Sequence, residues 1–253
     1  MAVVEIVLHT TCYSSYSLYR GLKAKGLMGR VKLVEARSPS LRGFLVWSVP
    51  WMLVDGRPAG ADPLEVDVVE AALGGAGVKP PKRLHEAFME AVAHSTAASS
   101  LVAVSSSLEP VLDEALASAA ARSPLTGVDP REVLEEVSRE GGGLLEEWLP
   151  RLGRALAVAF AREAWWSRGG SLTPEELEGM VDSGVFRLWL LAKASLGRAG
   201  LPRDPRSYGG PAVEEAEEFA RSLAPRIVAR VAEEQASLSS DGEWWSGSWA
   251  TRV

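Results

Sequence analysis

Over the first 78 residues, short apolar and β-branched runs alternate with segments of helical period; beyond residue 83 only helical period remains. The run VVEIVLH (Val3–His9) predicts a strand, SYSLYRGLKAKG a helix closing near Gly26, and VKLVEA (Val31–Ala36) a second strand. Arg37–Ser48 carries no clear pattern. VPWMLVDGRPAG (Val49–Gly60) predicts a hairpin turning at Asp55-Gly56. Asp62-Pro63 then reads as the N-cap and first helical position of PLEVDVVEAALGG, which glycine ends. A helix between the first two strands implies a parallel, right-handed crossover, and the hairpin adds antiparallel strands. The expectation is an α/β domain with a mixed sheet and flanking helices over residues 1–78.

GVKPPKR (Gly77–Arg83) predicts a linker, because its prolines stop regular structure and its charges keep it wet. The linker proper is 79–83, and 84–253 is expected to form an all-helical domain. Asp129-Pro130 and Thr173-Pro174 each present an N-cap followed by proline. RALAVAFAREAWW and VFRLWLLAKASL are apolar on nearly every side, which predicts central helices. VEEAEEFARSLAPRIVARVAEE predicts one helix kinked at Pro225. Val213, Ala216, Phe219, Leu223, Ile227 and Val231 form its apolar stripe, and its glutamates face outward.

Composition narrows the function. Hydrophobic residues make up 47% and charged residues 24%, which fits a soluble globular protein. A net charge of −6 argues against a nucleic-acid partner. The longest uncharged run, Ala91–Leu108, is too rich in Ser, Thr and His for a membrane span, and the first residues lack the basic start of a signal peptide. The expected compartment is cytoplasmic, with no membrane partner. A single cysteine rules out an intramolecular disulfide and multi-cysteine metal sites. His85 and His94 stand nine apart, which is not a metal-ligand spacing on one helix face. No metal site, phosphate loop or Ser-His-Asp pattern is expected.

That single cysteine, Cys12, sits just past the first strand, where the first helix begins. Unpaired N–H groups and the positive end of the helix dipole favour an anion there. A cysteine in such a place can have its pKa lowered from ~8.5 to roughly 3.5–7.5. The plainer alternative is a small buried hydrophobe.

Residues 1–78 resemble the thioredoxin fold. CYSS (Cys12–Ser15) stands where thioredoxins and glutaredoxins carry Cys-x-x-Cys or Cys-x-x-Ser, and SVPWMLVDG resembles the family's cis-proline strand. With the helical domain behind it, the layout also resembles glutathione transferases, particularly those with a catalytic cysteine. The resemblance implies that Cys12 is the nucleophile and Ser15 a hydrogen-bond donor to its thiolate. It further implies that Thr11 and Tyr13 flank the substrate, and that Val49 and the cis proline Pro50 form the docking edge. Asp62 lies where glutathione-binding relatives hold the ligand's amino group, although a helix N-cap also accounts for it. Ser15 replaces the second cysteine, Tyr13 replaces a glycine or proline, and the fold's second helix between Ala36 and Val49 is expected to be short or irregular.

The implied activity is one-cysteine thiol–disulfide oxidoreductase or thiol transferase chemistry. The alternatives are a glutathione-transferase-like enzyme or ligand binder with an interdomain site, and a non-enzymatic interaction module. No cofactor is expected beyond a low-molecular-weight thiol such as glutathione. The expected partner is a thiol- or disulfide-bearing small molecule or protein, and a homodimer is left open.

Three of the nine tryptophans, Trp244, Trp245 and Trp249, lie in a polar Gly/Ser tail at 241–253. Rings of that size seldom stay in water, so the tail is expected to dock, as irregular chain, on the helical domain or a second subunit, where it could close one side of the Cys12 cleft.

Overall fold

In the computed structural model, which describes residues 2–36, 46–196 and 210–250, one sheet has the strand order β2-β1-β3-β4. The strands are β1 (Val4–Leu8), β2 (Lys32–Glu35), β3 (Trp51–Val54) and β4 (Arg57–Ala61). β1 lies inside the sheet, and Val4, Ile6, Val7 and Leu8 are all buried. Both of its faces are covered, so its apolar residues run nearly without interruption. β1 pairs parallel with β2, from Glu5↔Lys32 to Leu8↔Glu35, and antiparallel with β3. The β3–β4 hairpin turns at Asp55 and Gly56, with φ of 50° and 77°, the paired positive angles of a two-residue turn. The mixed sheet expected from the pattern is present, and its arrangement is compatible with a thioredoxin-like fold.

The connection from β1 to β2 is α1 (Tyr13–Ala24), which buries Ser15, Tyr16, Leu18, Tyr19 and Leu22. Its apolar residues recur at helical spacing on one face. That face joins Ile6, Leu8, Leu33, Met52 and Val54 of the sheet and Val69 and Leu73 of α2 (Val66–Gly74) in one core. Full burial of each such aliphatic side chain stabilises by roughly 1.5–3 kcal/mol. The reading of Asp62 as a helix N-cap is corrected. Asp62 and Pro63 form a cis peptide in the turn leaving β4, and the N-cap of α2 is Glu65. The segment between Ala36 and Val49, where a second helix was expected, includes 37–45, which lie outside the described residues.

The chain divides into two compact units, each assembled from separate segments. One contains Met1–Ala91, Asp113–Arg139 and Ser237–Val253; the other contains Val92–Leu112 and Glu140–Ala236. These ranges do not coincide with 1–78 and 84–253. In the sheet-containing unit, α5 (Glu114–Ala121) and α6 (Ser123–Thr126) pack on β4, and Ser118 donates to the Pro58 carbonyl at 2.8 Å. A terminal strand contacted in this way is less open to pairing with another chain. Part of α3 (Leu84–His94), the start of α7 (Pro130–Ser167) and the tail also belong to this unit.

The second unit is helical. It contains α4 (Thr96–Ser105), most of α7, α8 (Pro174–Asp182), α9 (Val185–Leu196), α10 (Pro211–Ser222) and most of α11 (Ala224–Ser240). The caps fall where expected. Asp129 accepts the Arg131 N–H at 2.9 Å, and Thr173 with Glu176 forms a reciprocal capping box.

Three sequence expectations change here. The predicted kinked helix is two helices broken at Leu223. Proline cannot continue a helical hydrogen-bond ladder but fits a first turn, so the chain restarts just ahead of Pro225. Glu217 and Glu234 are buried instead of facing out, because Arg187 and Arg162 pair with them at 2.6 and 2.8 Å. α9 is not apolar-buried all round, since Leu188 is 67% exposed. Among the described residues no single helix is long and apolar enough to cross a membrane.

Candidate thiol site

The chain leaves β1 at Leu8 and turns at once, the Cys12 N–H closing on the His9 carbonyl at 3.0 Å. Cys12 is the N-cap of α1, in extended conformation (φ −93°, ψ 119°), and its carbonyl accepts the Tyr16 N–H. No acidic residue lies in the first turn of α1, so nothing on that turn offsets the partial positive charge of the helix start. The thiol is half-exposed and donates to the Val49 carbonyl at 3.2 Å. Val49-Pro50 is a cis peptide. Sheet register explains how residues 37 apart meet: Val7 of β1 pairs with Trp51 of β3, so the exit of one strand lies beside the entry to the other.

Ser15 is fully buried, and its Oγ accepts the His9 N–H at 3.2 Å. The hydroxyl hydrogen remains as its donor capacity. Thr11 is tied back to His9, its N–H and Oγ1 lying 3.3 and 2.9 Å from Nδ1. The backbone N–H of Thr11 is the donor in the first of these contacts. Tyr13 is 37% exposed, with its ring 6.3 Å from that of Tyr16.

Asp62 is buried, and its N–H donates to Ser48 Oγ at 3.3 Å. That bond joins the turn after β4 to the residue preceding Val49. Asp62 also lines a cleft of ≈ 270 Å³ with Pro63, Lys79, Glu90 and Arg122. Trp47, which precedes Ser48, donates its indole N–H to Asp113, the N-cap of α5, at 3.0 Å. The fold therefore joins Cys12 to Val49 and Asp62 to Ser48, while Thr11 and Ser15 are bonded to His9.

The tail docks beside the turn that leads to Cys12, but on α1 instead of the helical domain, and Trp245 stays 41% exposed. Asp241 caps a short helix, α12 (Gly242–Trp245), and the tail packs on α1 of the sheet-containing unit. Trp244 is fully buried, with the Tyr16 and Tyr19 rings 5.5 and 5.1 Å away and Trp249 stacked at 4.7 Å. Its indole N–H donates to the Thr10 carbonyl at 2.8 Å. Glu243 pairs with Lys23 and accepts the Tyr19 hydroxyl at 2.6 Å. The correction has a physical reason: Tyr16 and Tyr19 on one face of α1 offer an aromatic surface edged by Lys23, which matches the rings and carboxylates of the tail. Thr10 and Ser48 escaped the sequence reading because backbone and hydroxyl bonds carry no residue-type signature.

His85 pairs with Glu136. Burial raises the Glu136 pKa, but hydrogen bonds from His85 outweigh it and leave a net lowering. Among the described residues no group of three or more His, Cys, Asp and Glu could hold a metal ion. No family model, curated protein or solved structure matches the chain.

Proposed function

We propose that Cys12 is the nucleophile of a one-cysteine thiol–disulfide oxidoreductase or thiol transferase built on a thioredoxin-like domain. The observation that carries this reading is the approach of the half-exposed Cys12 Sγ, at the start of α1, to 3.2 Å from the carbonyl of Val49 in the cis Val49-Pro50 peptide. The hydrogen bond to Val49 belongs to the protonated thiol. On deprotonation it is lost, and the carbonyl is freed to accept an N–H from an extended ligand.

The Cys12 thiolate attacks one sulfur of a disulfide RS–SR′. The Cys12–SR bond forms, the S–S bond breaks, and R′S⁻ leaves with the electron pair and takes a proton from solvent. Since the chain has one cysteine, an external thiolate R″S⁻ must attack the mixed disulfide, releasing Cys12 and forming R″S–SR. The net reaction exchanges one thiol for another on a disulfide. Ser15 contributes its hydroxyl hydrogen to the thiolate, Thr11 and Tyr13 border the ligand, and Pro50 shapes the docking edge.

The test is reduction of a small disulfide by glutathione, with mass spectrometry for glutathione on Cys12. Turnover and adduct in wild type, both lost in Cys12→Ser, are expected. Wild type no better than Cys12→Ser on both readouts overturns the proposal.

A second reading, a ligand binder of glutathione-transferase-like layout, is favoured by the cleft beside Asp62. Its Asp62 and Glu90 carboxylates and Lys79 and Arg122 cations suit a zwitterionic thiol peptide. Calorimetric titration with S-methylglutathione, which cannot exchange, tests this reading. Binding weakened by Asp62→Asn supports it, and no binding to wild type removes it.

A further inference from the structure

We propose that Trp244 is a positioning residue for Cys12, holding through its indole N–H the turn from which the thiol projects. The assignment rests on the reading of Cys12 as the reactive thiol. Thr10 is buried within that turn. Its hydroxyl donates to Glu35 at the end of β2 at 3.0 Å, while its carbonyl accepts from Trp244 at 2.8 Å. A buried carbonyl without a donor is unfavourable, so the indole N–H both satisfies Thr10 and sets the plane of its peptide. That plane lies between His9, whose carbonyl holds the Cys12 N–H, and Cys12 itself.

Trp244 is itself fixed. Asp241 Oδ1 accepts its backbone N–H at 3.1 Å, Tyr16 and Tyr19 flank its ring, and Trp249 stacks on it with an interplanar angle of 11°. Trp249 also donates its indole N–H to the Trp244 carbonyl at 2.8 Å. A residue 234 positions away thereby fixes the peptide two residues ahead of the thiol. Release of that bond lets the turn rotate and changes how Cys12 sits against the start of α1 and the Val49 carbonyl.

Trp244→Phe keeps the buried ring and removes the donor. In the full chain, the rate of Cys12 alkylation by iodoacetamide is measured against pH, with the fold checked by near-ultraviolet dichroism. The expected result is a roughly three- to ten-fold slower reaction at neutral pH, the equivalent of about one hydrogen bond, with the midpoint moved toward that of free cysteine. Trp245→Phe alters the 41%-exposed neighbouring ring of the same tail and should leave the Cys12 profile unchanged. A folded Trp244→Phe with a wild-type profile, or the same shift from Trp245→Phe, overturns the proposal. If Trp244→Phe fails to fold, Glu243→Gln loosens the tail from Tyr19 and Lys23. A smaller shift in the same direction then supports the proposal, and no shift overturns it. An ordinary wild-type midpoint sinks the thiol reading by itself. In that case, faster hydrogen exchange at the Cys12 amide in Trp244→Phe still supports positioning, and unchanged exchange overturns it.

Discussion

The Tyr19 hydroxyl donates to the Glu243 carboxylate at 2.6 Å across 224 residues of sequence, and Lys23 pairs with the same carboxylate. The hydrogen bond from Lys23, then that from Tyr19, holds the Glu243 carboxyl below its ordinary pKa against a smaller opposing effect of burial. Burial, followed by the bond to Glu243, pushes the Tyr19 phenol well above its ordinary range; the bond to Glu243 also raises Lys23. A lowered carboxylate stabilises above its unfolded value and loses that contribution as pH falls through its folded value. Raised Tyr19 and Lys23 stabilise below their unfolded values and lose that contribution as pH rises through their folded ones.

Tail docking is therefore expected to be strongest between about pH 5 and pH 10. The measurement compares melting temperatures of the full chain and a chain ending at Ser240 across pH. The difference should be widest inside that window and shrink on both sides. A difference independent of pH would show that the rings alone hold the tail.

Trp249 is nearly buried and stacks on Trp244. Trp249→Ala should cost about 3 kcal/mol, since truncating a buried aromatic leaves a cavity the surroundings only partly fill. Denaturant unfolding measures this, and a loss under ~1 kcal/mol would mean that the tail closes over the gap.

Gly141 interrupts α7 with φ 51° and ψ −127°, a conformation that side-chain-bearing residues avoid. Gly141→Ala is expected to destabilise by about 1–3 kcal/mol through backbone strain, although a Cβ there meets nothing within 4 Å. An unchanged midpoint of unfolding would contradict that.

Arg187 grips Glu217 with two hydrogen bonds, at 2.6 and 2.9 Å. Glu217 is buried, while the Arg187 side chain is 46% exposed and can be resolvated when its partner goes. Glu217→Ala should therefore cost about 1–2 kcal/mol, less than a fully buried pair. A double-mutant cycle with Arg187→Ala should assign most of that loss to the pair, and purely additive losses would refute it.

Cys12 faces two opposed influences. The start of α1 favours the thiolate by up to ~2 kcal/mol, whereas an S–H bond to a carbonyl is a weak contact. The midpoint of its alkylation rate should consequently fall below ~8.5. A midpoint at or above that of free cysteine would favour the interaction-module reading.

The sheet, α1, the Asp55-Gly56 turn and the caps at Asp129 and Thr173 were legible in the sequence. Each depends on periodicity or backbone chemistry within a few residues. The position of Cys12 at the head of α1 was legible for the same reason. The start of α2 was misread because Asp62-Pro63 suits a cap as well as it suits a turn. Nothing local separates the two.

What the sequence by itself determined is which segments become strands and helices and which side chains need burial, Trp244 and Trp249 of the tail included. Only the tertiary structure decided that Trp244 lies on Tyr16 and Tyr19 with Trp249 beside Tyr19, that the Cys12 thiol meets Val49, and that the buried Glu217 and Glu234 find arginines. These pairings join residues far apart in the chain, and local pattern is set by neighbours within a turn or two. A large aromatic ring announces in sequence that it needs burial. Which partner it gets depends on packing the whole chain at once.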